Sequence, residues 1–130
     1  MAMNDTLAAA MSNIVNAEKI GKDFCFARPV SKMLSTILGI MQDRKYIGNF
    51  EVVDKGRGGV MKINLIGAVN KCGVVKPRFS VTKAEFEKFE KRYLPAKGFG
   101  FIVISTSKGL MTLDEAREKG LGGRLIAFVY

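Results

Sequence analysis

The 130-residue chain has no histidine, two cysteines, and twelve acidic residues against twenty-one basic ones. Each shortage removes a class of function. Without histidine, the side chain that titrates near neutral pH is missing, and general acid–base catalysis has poor material. The spacing brings no pair of acids into a shared pocket. Cys25 and Cys72 stand far apart and, with no histidine, fit none of the common zinc spacings. They read as buried free thiols of a reducing cytosol, outside any disulfide framework. No apolar run is long enough to cross a bilayer. The first residues lack a basic stretch followed by a hydrophobic one, so no secretory signal is expected. There is no internal repeat and no low-complexity segment. No catalytic residue, metal site, cofactor, small-molecule substrate or membrane attachment is therefore expected.

What is present is positive charge. The formal net charge is +9. A surplus of this size favours a polyanionic partner. The cations are spread along the chain and do not gather on one amphipathic helix, which favours nucleic acid over a membrane surface. The hydrophobic share of 48% is enough for a packed core in a chain of this length.

Asn4, Asp5 and Thr6 suit a helix start, and Leu7, Ala8, Met11, Ile14 and Val15 follow at helical spacing. Asn13 and Asn16 fall on other faces of that helix. Their amides suit a phosphate or ribose, and equally suit plain solvation. Gly21 closes the region and residues 24–27 read as a short strand. Beyond Pro29, Ser31 caps a second helix striped by Met33, Leu34, Ile37, Leu38 and Met41. Arg28 and Lys32 flank its start, where a cation gains nothing from the helix dipole. That adds some weight to a ligand-directed role, with ordinary solvation still the stronger reading.

Residues 50–54 and 60–66 read as strands joined by a glycine-rich hairpin carrying Lys55 and Arg57. That loop is too short, and in the wrong context, to cradle a phosphate ahead of a helix. Residues 68–80 hold Gly73, Pro77 and the cations Lys71, Lys76 and Arg78. This composition shift marks a link, placed at 71–80, between an N-terminal part (1–70) and a C-terminal part (81–130). Thr82 with Glu85 forms a capping box ahead of Phe86, Phe89 and Tyr93 on one helix face.

Residues 97–104 nearly reproduce the aromatic strand of RNA-recognition-motif domains. The candidate partner strand at 63–66 carries no aromatic, however, and the later helix at 113–119 is too short. Phe99 and Phe101 therefore read as core residues. A freestanding single-stranded RNA binder using those two rings is the lesser alternative.

Three hydroxyls and an ammonium, Ser105, Thr106, Ser107 and Lys108, follow the strand of residues 99–104. Thr112 and Glu115 then repeat the capping box, Gly120 suits a helix end, and Gly122 and Gly123 turn the chain into a last strand. Such a loop is an ordinary turn or a recognition site held by regular structure. Hydroxyls exchange hydrogen bonds with base edges and the ribose 2′-OH, and Lys or Arg neutralises phosphate. A Ser–Lys nucleophile would need a buried, neutral lysine. Lys108, on a loop of a strongly basic chain, is expected to stay charged, which leaves an RNA-processing enzyme the weakest reading.

The run Gly100-Phe101-Ile102-Val103-Ile104-Ser105-Thr106-Ser107-Lys108-Gly109-Leu110-Met111-Thr112-Leu113-Asp114-Glu115-Ala116-Arg117 resembles the hallmark of the universal S-eight family of small-subunit ribosomal proteins. The closing Gly122-Gly123-Arg124-Leu125-Ile126-Ala127-Phe128-Val129-Tyr130 is similar as well. So are Asp5-Thr6-Leu7, Ile14-Val15-Asn16-Ala17 and Pro29-Val30-Ser31-Lys32. The resemblance runs nearly end to end.

It implies an α+β protein of two small, tightly associated lobes, a mixed helix/sheet N-terminal lobe and a β-rich C-terminal one. It implies a cytoplasmic, non-enzymatic constituent of the small subunit. Such a protein binds a central-domain rRNA stem at an internal loop, supports assembly, and adjoins other small-subunit proteins. By motif position, Ser105, Thr106 and Ser107, with Lys108 beside them, meet bases and sugars, and Gly123 lies close to the same RNA. Asp5, Thr6, Asn13, Asn16, Ser31 and Lys32 approach the RNA backbone, with Arg28 adjoining. Bacterial members also bind an mRNA that mimics the ribosomal site, which makes the protein's own mRNA a further candidate partner. The longer inter-lobe region, and Arg124 where an acid is frequent, resemble the archaeal and eukaryotic branch.

Overall fold

The computed structural model describes residues 6–28, 30–56, 58–75, 80–96 and 99–130. Asn4 and Asp5 at the expected helix start, Pro29, Arg57 in the hairpin, and Lys76, Pro77 and Arg78 in the expected link lie outside them. The fold is α+β, with four α-helices and two antiparallel sheets among the described residues. Its contacts divide the chain into residues 1–72 and 73–130.

In the first unit, helix α1 (Thr6–Lys19) buries Leu7, Ala10, Met11, Ile14 and Ala17. These positions repeat at three and four residues, one apolar stripe of a 3.6-residue helix. The stripe is rotated from the expected one, leaving Ala8 and Val15 half-buried at its margin. Strand β1 (Phe24–Ala27) follows the turn at Gly21. Helix α2 (Lys32–Asp43) begins where Ser31 Oγ accepts the Leu34 N–H at 3.1 Å, a cap worth about 1 kcal/mol. It buries Leu34, Ile37, Leu38 and Met41, and Met33 stays half-buried.

Strands β2 (Ile47–Asp54) and β3 (Val60–Leu65) complete an antiparallel sheet of order β1-β3-β2. β2 starts three residues before the expected position. Register shifts between Ile47 and Phe50, and between Val52 and Asp54, break the alternation that would have revealed it. Cys25, Ala27, Met61 and Ile63 are buried along one face.

Cys25 and Cys72 are buried free thiols. Burial first, then the Glu18 carboxylate, pushes Cys25 up to about 11. Burial, then Cys25 and Glu18, pushes Cys72 up to about 12. The Cys72 thiol donates to the Met11 carbonyl at 3.5 Å, and Glu18 Oε2 accepts the Val69 N–H at 3.1 Å.

The second unit is built on a sheet of order β4-β8-β6-β7, with β5 also paired to β8. Its strands are β4 (Cys72–Val74), β5 (Ser80–Val81), β6 (Phe101–Thr106), β7 (Gly109–Thr112) and β8 (Gly123–Val129). β4 and the first residue of β5 fall inside the stretch expected to be a link. Glu85 accepts from the Thr82 backbone N–H at 3.0 Å and from its hydroxyl at 3.1 Å. Those two bonds hold the Glu85 carboxyl below its ordinary range. A 3-10 turn (Lys83–Glu85) then leads into α3 (Phe86–Tyr93).

Phe86 and Phe89 pack into a core with Ile102, Ile104, Met111, Leu113, Ala116 and Leu125. Each fully buried side chain of this size contributes roughly 1.5–3 kcal/mol. Helix α4 (Leu113–Lys119) is capped by Thr112, whose Oγ1 accepts the Glu115 N–H at 3.3 Å. It ends at Gly120, as expected.

The expected pairing of Phe99 and Phe101 in the core is half right. Phe101 is buried, whereas Phe99 is 62% exposed. The chain turns at Gly100 (φ 80°) and β6 begins only at Phe101, so Phe99 lies outside the strand's alternation.

Candidate nucleic-acid interface

Ser105 and Thr106 are the last residues of β6, Ser107 and Lys108 form a two-residue turn, and Gly109 opens β7. The expected loop between a strand and a helix is therefore the tip of a β-hairpin. Its register pairs Ser105 with Leu110 and Thr106 with Gly109. Polar residues at strand ends carry no apolar alternation, which is why β6 reads two residues short and β7 reads as loop.

The three hydroxyls divide their work. Thr106 Oγ1 donates to the Gly109 carbonyl at 2.9 Å and accepts the Lys108 N–H at 3.1 Å. It ties the turn shut. Among the described residues, the Ser105 and Ser107 hydroxyls carry no such bond. Ser105 is half-buried, while Ser107 and Lys108 are exposed.

On the other side of β6, Ser105 pairs with Arg124 of β8. Gly123 adjoins that pair so closely that a Cβ there would strike the Ser105 carbonyl oxygen. Only a glycine lets β8 approach the end of β6 in this way. Arg124 is exposed, and as the cross-strand partner of Ser105 it shares a face with it. It adds a second cation beside the tip. Sequence reading missed this role, since the signal lies in strand register and no motif carries it.

The remaining candidates belong to the first unit. Thr6 opens α1, and Asn13 and Asn16 lie exposed along it. Asn13 Nδ2 donates to the Phe26 carbonyl at 3.1 Å, tying α1 to β1 and leaving its other N–H and its oxygen available. Ser31 caps α2, and Lys32 is that helix's exposed first residue. Arg28 is exposed just past β1. Because α1 reverses into β1 across the Gly21 turn, Thr6 lies toward the end of β1 from which Arg28, Ser31 and Lys32 follow. Asp5 lies outside the described residues.

Two free hydroxyls and two cations on a braced hairpin, in a basic chain, are equipment for recognising a polyanion. Among the described residues no three His, Cys, Asp or Glu side chains gather to hold a metal ion, and no helix is long and apolar enough to cross a membrane. The protein class defined here is one that binds nucleic acid. A family model described as Ribosomal protein S8 matches residues 5–130. The chain belongs to the S8 family: it is a structural component of the small ribosomal subunit, binds that subunit's rRNA alongside other ribosomal proteins, acts on the ribosome in the cytoplasm, and is not an enzyme.

Proposed function

We propose that the hairpin tip is the part of the protein that reads the RNA. Ser105 and Ser107 exchange hydrogen bonds with base edges and ribose hydroxyls at an internal loop of a central-domain stem. Thr106 holds the tip in shape, Lys108 and Arg124 offset phosphate charge, and Gly123 keeps β8 close behind. Thr6, Asn13, Asn16, Arg28, Ser31 and Lys32, with Asp5, face the backbone of the same RNA. Bound early in this way, the protein would fix the stem while the domain assembles. A stem of the same form in its own mRNA would be taken by the same contacts.

The observation that supports this reading is the division of labour among the hydroxyls. One is spent on the turn, and two are left for a ligand on a rigid frame. Hydroxyl-radical footprinting of a small-subunit rRNA transcript with the full chain tests it. Protection is expected on one stem and its internal loop in the central domain, and single-stranded RNA of equal length should fail to compete. Protection elsewhere, or displacement by the single strand, would refute it.

A further inference from the structure

The N-terminal sheet exposes two aromatic rings that the hairpin reading does not use. Phe24 is 42% and Phe26 45% exposed. They sit two residues apart on edge strand β1, on the same face, with ring centroids 5.5 Å apart in an edge-to-face arrangement. Lys62, the β3 partner of Phe26, places its ammonium 4.7 Å from the Phe24 ring centroid. Beside them, a groove of about 630 Å³ runs between α1 and β1, lined by Asn13, Asn16 and Lys22 as well as both rings.

We infer that this face stacks an unpaired nucleotide, with Phe26 as the platform, Phe24 edge-to-face beside it, and Lys62 and Lys22 as phosphate contacts. Aromatic rings take any base on their π-face, and neighbouring cations follow its backbone. Three features favour RNA over a protein partner. A lysine stands over one ring, whereas lysine is depleted from protein–protein contacts. The groove is lined by amides, Lys22 and one carboxylate, Asp23, as well as apolar groups, and with Lys62 beside the rings the cations outnumber that acid. Asn13 already takes the Phe26 carbonyl, which makes the short, four-residue edge of β1 a poor template for a partner strand.

The inference rests on the chain binding rRNA, and its test separates the two readings. The full chain is bound to a small-subunit rRNA transcript, irradiated at short wavelength, digested and analysed by mass spectrometry. A nucleotide adduct on Phe24 or Phe26 is expected. The double variant F24L/F26L should bind the transcript about tenfold more weakly with an unchanged salt slope, in line with the loss of one stacked base. F26Y, which keeps the ring, should bind as the unaltered chain does. Circular dichroism should give all three proteins the same fold.

Wild-type affinity of F24L/F26L with no adduct on β1 would overturn the inference and give the face to a protein partner. Equal losses in F24L/F26L and F26Y would also overturn it, because the ring would then not be the determinant. In both cases footprinting of the unaltered chain on its stem would leave the hairpin reading standing. Failure of the unaltered chain to bind the transcript would overturn both.

Discussion

A side chain at position 123 would collide with the carbonyl oxygen of Ser105, two positions from Ser107 at the exposed tip. The hairpin is thus held from behind by backbone in contact with backbone. Gly123→Ala must push β8 away from the end of β6, at a cost of about 1–3 kcal/mol. The thermal midpoint should fall and rRNA affinity with it. Unfolding followed by circular dichroism, with filter binding on the same protein, checks both.

Ser105→Ala and Ser107→Ala should behave differently from Thr106→Val. Each serine change should leave the thermal midpoint unaltered and weaken binding to the stem by about 1–3 kcal/mol, the range for stranding a polar partner in a buried contact. Thr106→Val removes both turn bonds and should lower the midpoint as well. Thr106→Ser should restore both properties. Unchanged affinity in both serine variants would remove the tip from the recognition surface.

Lys32→Ala should weaken rRNA and non-specific RNA alike. The slope of log K against log salt should flatten by about 0.9, the loss of one neutralised phosphate. An unchanged slope would make Lys32 a solvated charge. Ser31→Ala addresses the neighbouring cap and should cost about 1 kcal/mol of stability. Ser31→Asp keeps the cap while adding a negative charge, so retained stability with weakened RNA binding would place residue 31 near phosphate.

The thiols set an alkaline limit on the first unit. Cys25 and Cys72 titrate near 11 and 12 in the folded protein, against an ordinary value of 9.0. Below pH 9 both states hold these protons and the contribution is complete. Above it the unfolded chain releases them first, so stability falls as pH rises from 9 through 11 to 12. The urea midpoint should drop over that range, and less steeply in the double variant C25A/C72A. A disulfide-exchange reagent should react with neither thiol at pH 8 until the protein is unfolded.

Much of this was legible in residue order. The stripes of α1 and α2, the caps at Ser31 and Thr112, and the Thr82–Glu85 box are local features, and local physics places them. What escaped depends on distant partners. β7 looked like loop because Gly109 is a poor strand former and Thr112 reads as a helix cap, and only pairing with Val103 to Thr106 makes them a strand. Arg124 joined the tip through register, Phe99 left the core through the turn at Gly100, and Phe24 with Phe26 became a surface only once β3 set Lys62 beside them.

β8 also has a consequence for how the protein is made. It pairs with β4, β5 and β6, yet it comes last in chain order. During synthesis, β6 and β7 emerge with everything needed to close their hairpin through local contacts. The strand that braces them arrives more than ten residues after Gly109, and its pairing with Ser80 and Val81 spans about forty residues of chain. A nascent chain ending at Gly120 therefore presents the Ser105–Ser107 tip without its support. If the tip reads the RNA as proposed, tight capture waits on β8, and the chain commits to its rRNA only once its second sheet can close.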